Sequence, residues 1–181
     1  MDHRATVLRK VPGLFGIPAP ELDELARSFR LIDVLDADLC TEGAAPRALF
    51  VLAEGRCEVS RTTPGGQRVR VAQLSPGCLF GHLSLLTEGV RTATVRTVGP
   101  ARVLELPLDE ARALLKNGPL HVTSALRRAL IVATARQLAA ATHTTAELAR
   151  SAGLCTPDPA RSTQPLPAVQ EAEILLADPR W

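Results

Sequence analysis

The chain has 181 residues, of which 46% are hydrophobic and 22% are charged. This length allows one ordinary domain and a tail, and the hydrophobic share excludes global disorder. The formal net charge is only +2, and aromatic residues make up 3% with no tyrosine, so neither a strongly cationic DNA-binding surface nor a base-stacking platform is expected.

The cysteines and the termini indicate a protein of the cytoplasm. The cysteines stand at Cys40, Cys57, Cys78 and Cys155, without a CxxC pair. This spacing fits neither a zinc site nor a disulfide framework, so we expect free thiols in a reducing compartment and no metal. Residues 1–10 lack the apolar run of a signal peptide, and the longest apolar run, residues 129–135, is too short to cross a bilayer.

The sequence pattern changes twice along the chain. Residues 1–30 are predicted to be helical, because Pro20 suits a first turn and Leu22 and Leu25 repeat at helical spacing. Over residues 31–108, short apolar runs alternate with glycine and proline, and Pro64-Gly65-Gly66 separates two alternating runs as a hairpin turn does. This middle region predicts a mainly β fold of sandwich or barrel type with flanking helices.

Helical periodicity returns in residues 109–152. A short helix around Ala111 is closed by Asn117-Gly118-Pro119, and a long helix is predicted over residues 120–152. Its apolar stripe consists of Val122, Leu126, Leu130, Ala133, Leu138 and Ala141. The stripe is long enough either to cover its own domain or to pair two subunits. Residues 153–181 are proline-rich and have the composition of a flexible tail.

The segment from Gly77 to Ala93 carries the chemistry of an anion site. Gly81 permits close approach of the backbone to a ligand, and a short helix after it directs free N–H groups at an anion. Ser84 adds a hydroxyl, and Arg91 can hold a phosphate through two parallel hydrogen bonds. The candidate ligand-binding residues are Phe80, Gly81, His82, Leu83, Ser84, Arg91, Thr92 and Ala93.

These motifs resemble the phosphate-binding cassette of the cyclic nucleotide-binding domain family. The resemblance rests on Leu-x-x-Gly-x-x-Phe-Gly at residues 74–81 and on Arg-Thr-Ala-Thr at residues 91–94, with Gly43 and Gly55 upstream. It implies a β-roll of about eight strands of the catabolite activator protein type, followed by a long helix. It also implies cAMP or cGMP as the ligand and no other cofactor.

One position departs from the family pattern. The family has a glutamate after Phe-Gly that accepts a hydrogen bond from the ribose 2′-hydroxyl, whereas this chain has His82. An imidazole offers one acceptor when neutral and none when protonated near pH 6. Three interpretations stay open: weak cyclic nucleotide binding, a different phosphorylated or anionic ligand, or a pocket kept only for structure. Arg91 could also form a salt bridge with Glu88.

The sequence predicts a sensor without its own output domain. Residues 153–181 contain five prolines and two arginines, which do not supply the helical pattern of a DNA-reading domain, so no DNA contact is expected. The sequence contains no pattern of a nucleophilic side chain with a general base, and no paired carboxylates, that would indicate an enzyme. We expect a regulatory module acting through an unknown effector protein or a homodimer of the long helix. The alternative is a degenerate β-roll scaffold that binds no nucleotide.

Overall fold

The structure, a computed structural model, describes residues 2–87 and 89–151, without the side chains of residues 144–151. The chain divides after Leu138 into two compact units, the second being Ala139–Trp181. Of this second unit the structure describes residues 139–151, which are the end of the last helix. In chain order the elements are α1 (His3–Leu8), α2 (Ala19–Arg27), β1 (Arg30–Leu35), β2 (Asp38–Cys40), β3 (Ala48–Glu54), β4 (Cys57–Thr62), β5 (Arg68–Leu74), β6 (Leu79–Phe80), α3 (Leu83–Thr87), β7 (Thr94–Thr97), β8 (Pro100–Pro107), α4 (Leu108–Asn117) and α5 (Leu120–Ser151).

The strands form two antiparallel sheets of four. One sheet has the order β1-β8-β3-β6 and the other the order β2-β7-β4-β5. Every connection between successive strands except that from β4 to β5 moves the chain from one sheet to the other, which produces a roll instead of a simple meander. The prediction of a mainly β roll with flanking helices is therefore confirmed.

Strand β3 shows why this region of the sequence is continuously apolar. Leu49 and Val51 point to a core shared with the helices, whereas Phe50 and Leu52 point to a second core between the two sheets. Because side chains alternate across a strand, a strand buried on both faces needs an apolar residue at every position. Six of the seven residues of β3 are buried accordingly.

The hairpin predicted at Pro64-Gly65-Gly66 joins β4 to β5. The backbone N–H of Thr63 donates to the carbonyl of Gln67 at 2.8 Å, and the N–H of Gly66 donates back to Thr63 at 2.9 Å. Gly66 has φ +79°, a left-handed value that glycine adopts without strain. The local turn chemistry therefore places this hairpin as expected.

Helix α5 begins at Leu120, as predicted, and Ala152 lies outside the described residues. Val122, Leu126 and Leu130 are buried against the domain, but Leu138 is 66% exposed. The buried part of the predicted stripe thus ends near Leu130. Among the described residues, no helix combines the length and apolar content needed to cross a bilayer.

The division of the chain at residues 30, 108 and 152 stays a prediction. The tail over residues 153–181 lies outside the described residues.

Candidate functional site

The cassette, from Gly77 to Ala93, contains β6 and the connection from β6 to β7, two strands that belong to different sheets. Phe80 of β6 is opposite Phe50 of β3, and their rings stack with centroids 5.4 Å apart. Gly81 then turns the chain with φ +75°. The carbonyl of His82 accepts a hydrogen bond from the N–H of Leu85 at 3.0 Å, which begins the single turn of α3. The predicted helical turn is therefore present.

Arg91 is held at the base of this connection by its side chain and its backbone. Its Nη1 donates to the carbonyl of Gly81 at 2.6 Å, and its Nη2 donates to the carbonyl of Ala48. Its backbone N–H donates to Ala44 at 2.9 Å, and its carbonyl accepts from Gly43 at 2.8 Å. Arg91 is thus fixed by four hydrogen bonds to three segments of the chain, two at its guanidinium and two at its backbone.

The charge of Arg91 is buried without an acidic partner among the described residues. The residue is 5% exposed, and the hydrogen bonds of its side chain to the described residues go to two carbonyl oxygens. The alternative salt bridge with Glu88 lies outside the described residues. A guanidinium has five N–H donors, and two of them serve the carbonyls, so donors remain for an anion. A buried cation with carbonyl partners is energetically suited to gaining an anionic ligand.

Gly81 has a second role that the sequence interpretation did not include. A Cβ atom at this position would lie 2.9 Å from Nη1 of Arg91 and 3.4 Å from the carbonyl oxygen of Ala48. The glycine was expected to admit a ligand, and here it admits the guanidinium itself. Gly81 therefore permits the placement of Arg91.

His82 is 3% exposed, and neither ring nitrogen has a hydrogen-bond partner among the described residues. Burial lowers the pKa of this imidazole from 6.5 to about 4. The ring is therefore neutral at physiological pH, with one donor and one acceptor uncompensated. This disfavours the protonated form considered for pH near 6. An unpaired buried polar group is costly, so its presence needs a physical reason.

The other predicted residues differ in their accessibility. Ser84 is 3% exposed, and its Oγ donates to the carbonyl of Val90 at 3.4 Å. Leu83 and Ala93 are half-buried, whereas Thr92 is exposed. The structure thus brings Gly81 and Arg91 into direct contact and ties Ser84 to the residue before Arg91. Whether these residues bind a ligand stays a prediction.

A cavity of about 360 Å³ lies against Arg91. It is lined by Asp38, Leu39, Cys40, Thr41, Ala44, Ala45, Arg47 and Arg91. Of the predicted site residues, only Arg91 belongs to this wall. Arg47 and Thr41 also line the cavity, but the sequence did not predict this, because a single arginine or threonine in a connecting segment carries no local motif.

The buried thiol beside this cavity is neutral. Burial raises the pKa of Cys40, and the nearby positive charge of Arg91 opposes the effect in part. Burial, followed by the proximity of Cys40 and Cys78, raises the pKa of Cys57 to about 11. Within the described part of the chain, no group of three or more histidine, cysteine or acidic side chains is placed to hold a metal ion.

A second, apolar cavity of about 520 Å³ lies among α3, α4 and α5. Its wall is formed by Leu86, Leu115, Arg127, Leu130, Ile131, Thr134 and Ala135. Because residues of both α3 and α5 line this cavity, a displacement of either helix would change its shape.

Comparison with known proteins adds a family to this geometry. Residues 36–117 match the sequence model of the cyclic nucleotide-binding domain. A cyclic AMP receptor protein of Thermus thermophilus is 37% identical over 109 residues, covering 59% of this chain and 50% of the relative. A cAMP-dependent protein kinase regulatory subunit of Mycosarcoma maydis is 32% identical over 117 residues, covering 62% of this chain and 22% of the relative.

A solved structure agrees with these relatives. The crystal structure of the Thermus thermophilus catabolite activator protein has a TM-score of 0.65 and 29% identity, covering 76% of this chain and 63% of that protein. The chain therefore spans about half the length of the Thermus relative and less than a quarter of the kinase subunit. The two-sheet roll, the cassette between β6 and β7 and these matches agree: residues 36–117 match the cyclic nucleotide-binding domain, and the chain has a cyclic nucleotide-binding fold like that of the catabolite activator protein.

Proposed function

We propose that this chain is a regulatory module that binds a cyclic nucleotide, cAMP or cGMP, at the cassette around Gly81 and Arg91. The observation that carries the proposal is the buried guanidinium of Arg91, which has no acidic partner among the described residues. A cyclic phosphate would supply the missing negative charge. Relatives named for cyclic AMP reception and for cAMP-dependent kinase regulation support this ligand class.

His82 sets the strength and selectivity of this binding. A neutral imidazole can contact a ligand hydroxyl, but it lacks the charge of a carboxylate acceptor. Cyclic nucleotide binding is therefore weaker than it would be with glutamate at this position. The two unpaired ring nitrogens support a ligand contact here, since a polar group of the ligand would compensate them.

The second candidate function is a scaffold that keeps the roll and binds no nucleotide. The hydroxyl of Ser84 is already bonded to Val90, and the side chain of Arg91 is already bonded to two carbonyls. Ser84 and Arg91 are therefore held in place by bonds within the chain itself and do not need a ligand for this. This observation makes the scaffold a real alternative.

Output is proposed to pass through the long helix to an effector protein or to a second copy of the chain. Leu120 is 80% exposed and Ile131 is 60% exposed. Their spacing of eleven residues places both on one face of α5, as in a helical pairing surface. The module is proposed to be non-catalytic and cytoplasmic, with no DNA or membrane contact of its own.

Calorimetric titration with cAMP and with cGMP tests the proposed ligand. We expect saturable binding that Arg91→Ala weakens by at least about tenfold, because the charged hydrogen bonds to phosphate are lost. Arg56→Ala is the matched control, since it removes an exposed arginine on the turn between β3 and β4. Absence of binding at about millimolar nucleotide would favour the scaffold.

A second variant keeps the test decisive if Arg91→Ala does not fold. His82→Glu leaves Arg91 in place and adds a carboxylate acceptor. We expect it to tighten cAMP binding by about tenfold or more. Unchanged affinity in a folded His82→Glu protein would contradict the role given to His82.

The proposed output has its own measurement. Sedimentation of the chain with and without Ile131→Glu reports self-association through α5. A dimer that this charge dissociates supports pairing of two copies, whereas a monomer in both cases leaves the effector protein as the route of output.

A further inference from the structure

The wall of the cavity of about 360 Å³ includes Arg91 but no other residue of the cassette. Its wall is formed by β2, by the segment between β2 and β3, and by Arg91. Gly81, His82 and Ser84 are absent from the wall of this cavity. Arg91 therefore belongs to two environments, the cassette connection and the cavity under the segment between β2 and β3.

The charges of this wall favour an anion. Arg47 is exposed, and among the described residues it forms no ion pair. Asp38 is the one acidic residue of the wall, and its carboxylate is 3.2 Å from Nη1 of Arg96 on β7. The negative charge of Asp38 is thus balanced outside the cavity. Arg47 and Arg91 are the basic residues of the wall, and the hydroxyl of Thr41 is a further donor there.

The backbone of the segment that carries Thr41 and Arg47 is held in place before any ligand arrives. The carbonyl of Arg47 accepts from the N–H of Leu108 at 2.9 Å, and the carbonyl of Thr41 accepts from the N–H of Ala44 at 3.0 Å. Gly43 and Ala44 are both bonded to the backbone of Arg91. Binding therefore requires little ordering of this backbone, which favours affinity for a small ligand.

The size of the cavity limits the ligand. Pockets for small molecules range from about 300 to 1,000 Å³, so this one is near the lower limit. It has room for a phosphoryl group with a small organic part, and it is small for a dinucleotide. Arginine binds phosphate oxygens through paired N–H groups, and two arginines suit a dianion better than a neutral molecule.

We propose that the cavity between Arg47 and Arg91 is a second binding site, specific for a small phosphomonoester. The site goes beyond the proposed cyclic nucleotide function, because its wall uses Arg47 and Thr41 and does not use Ser84 or His82. Its occupant would contact the same guanidinium from the face turned toward the segment between β2 and β3. A phosphomonoester there would compete with the carbonyl of Ala48 for donors of Arg91.

The test uses inorganic phosphate as the probe, at constant ionic strength maintained with chloride. Thermal unfolding and phosphorus NMR line width are measured for the full chain and for three variants. Arg47→Gln removes the proposed contact, Arg56→Gln removes an equal charge at a distant turn, and Ser84→Ala alters only the cassette. We expect phosphate to stabilise the wild type, Arg56→Gln and Ser84→Ala, with apparent affinity at least about tenfold weaker in Arg47→Gln.

Three outcomes would overturn the proposal: no response to phosphate at about tens of millimolar, an undiminished response in Arg47→Gln, or an equal loss in Arg56→Gln. Titration of cAMP into the same proteins separates the two sites. If cAMP binds and phosphate does not, the phosphomonoester site is wrong and the cyclic nucleotide function stands. If phosphate binds through Arg47 and cAMP does not bind, the phosphomonoester site stands and the cyclic nucleotide function is wrong.

Discussion

The guanidinium of Arg91 lies where a side chain on Gly81, ten residues earlier in the chain, would have to be. Nη1 of Arg91 donates to the carbonyl of Gly81 at 2.6 Å, and a Cβ on Gly81 would lie only 2.9 Å from the same nitrogen. Gly81 also has φ +75°, which is unfavourable for any residue with a Cβ. The two residues of the cassette motif therefore depend on each other before any ligand is considered.

Gly81→Ala is expected to destabilise the protein and to displace Arg91. The left-handed φ alone costs roughly 1–2 kcal/mol for alanine, and the contact with the guanidinium adds to it. Chemical denaturation measures the free energy of unfolding, and calorimetry measures cAMP affinity. We expect both to fall.

Gly66→Ala is the matched control for this substitution. Gly66 has φ +79°, and a Cβ there would have no neighbour within 4 Å. It therefore carries the backbone strain without the contact to Arg91. If the two variants lose equal stability and bind cAMP equally well, the contact between Gly81 and Arg91 contributes neither to stability nor to binding.

The β-roll was predictable from the sequence because its signals are local. A strand buried on both faces, such as β3, is a continuous apolar run, and the hairpin after β4 has its glycines at the turn. The order of Gly81, a short helical turn and Arg91 in one connection was predictable for the same reason. Each of these features depends on residues close together in sequence.

The partners of the cassette were not predictable from such signals. Arg91 is bonded to Ala48, 43 residues away, and lies beside a cavity shared with Arg47. Contacts of this kind follow from how the sheets pack, and no spacing within one segment encodes them. That the imidazole of His82 has no partner in the part of the chain that the structure describes is likewise a property of the folded interior.

His82→Leu is expected to stabilise the protein while it weakens cAMP binding. Both ring nitrogens of His82 are buried and have no partner within residues 2–87 and 89–151, and a leucine of similar size removes their desolvation penalty. The gain in the free energy of unfolding should be about 1–2 kcal/mol. Denaturation in urea measures it.

His121→Leu provides the contrast for this experiment. Nε2 of His121 lies 2.7 Å from a carboxylate oxygen of Glu24, so the same substitution there removes a made interaction. We expect no gain in stability from His121→Leu. A His82→Leu protein that is less stable than the wild type would show that the imidazole has a compensating partner.

The buried thiols are expected to resist alkylation in the folded protein. Burial raises the pKa of Cys40 and raises that of Cys57 to about 11, so the reactive thiolate is scarce at pH 8. Cys78 is half-buried and should react sooner. Mass spectrometry after timed iodoacetamide treatment gives the rate for each residue, and denaturation in urea should equalise the three. Rapid labelling of Cys57 in the folded chain would contradict its burial.

The stability of the fold should decrease as the pH falls from about 6.5 to about 4, through His82. Burial holds the pKa of the folded imidazole near 4, whereas the unfolded chain keeps the ordinary value of 6.5. The unfolded state therefore takes up a proton first, and stability is lost progressively over this window, then no further below it. The difference corresponds to about 3 kcal/mol.

His82→Gln isolates this contribution, because glutamine keeps a donor and an acceptor but does not titrate. The carboxylates titrate in both proteins, so their effects cancel when the two stability curves are subtracted. We expect the wild type to lose about 3 kcal/mol relative to His82→Gln between pH 7 and pH 4, measured by urea unfolding at each pH. Parallel curves would mean that water reaches the imidazole in the folded state. The interpretation of His82 as a neutral, buried residue, on which the proposed ligand contact depends, would then be wrong.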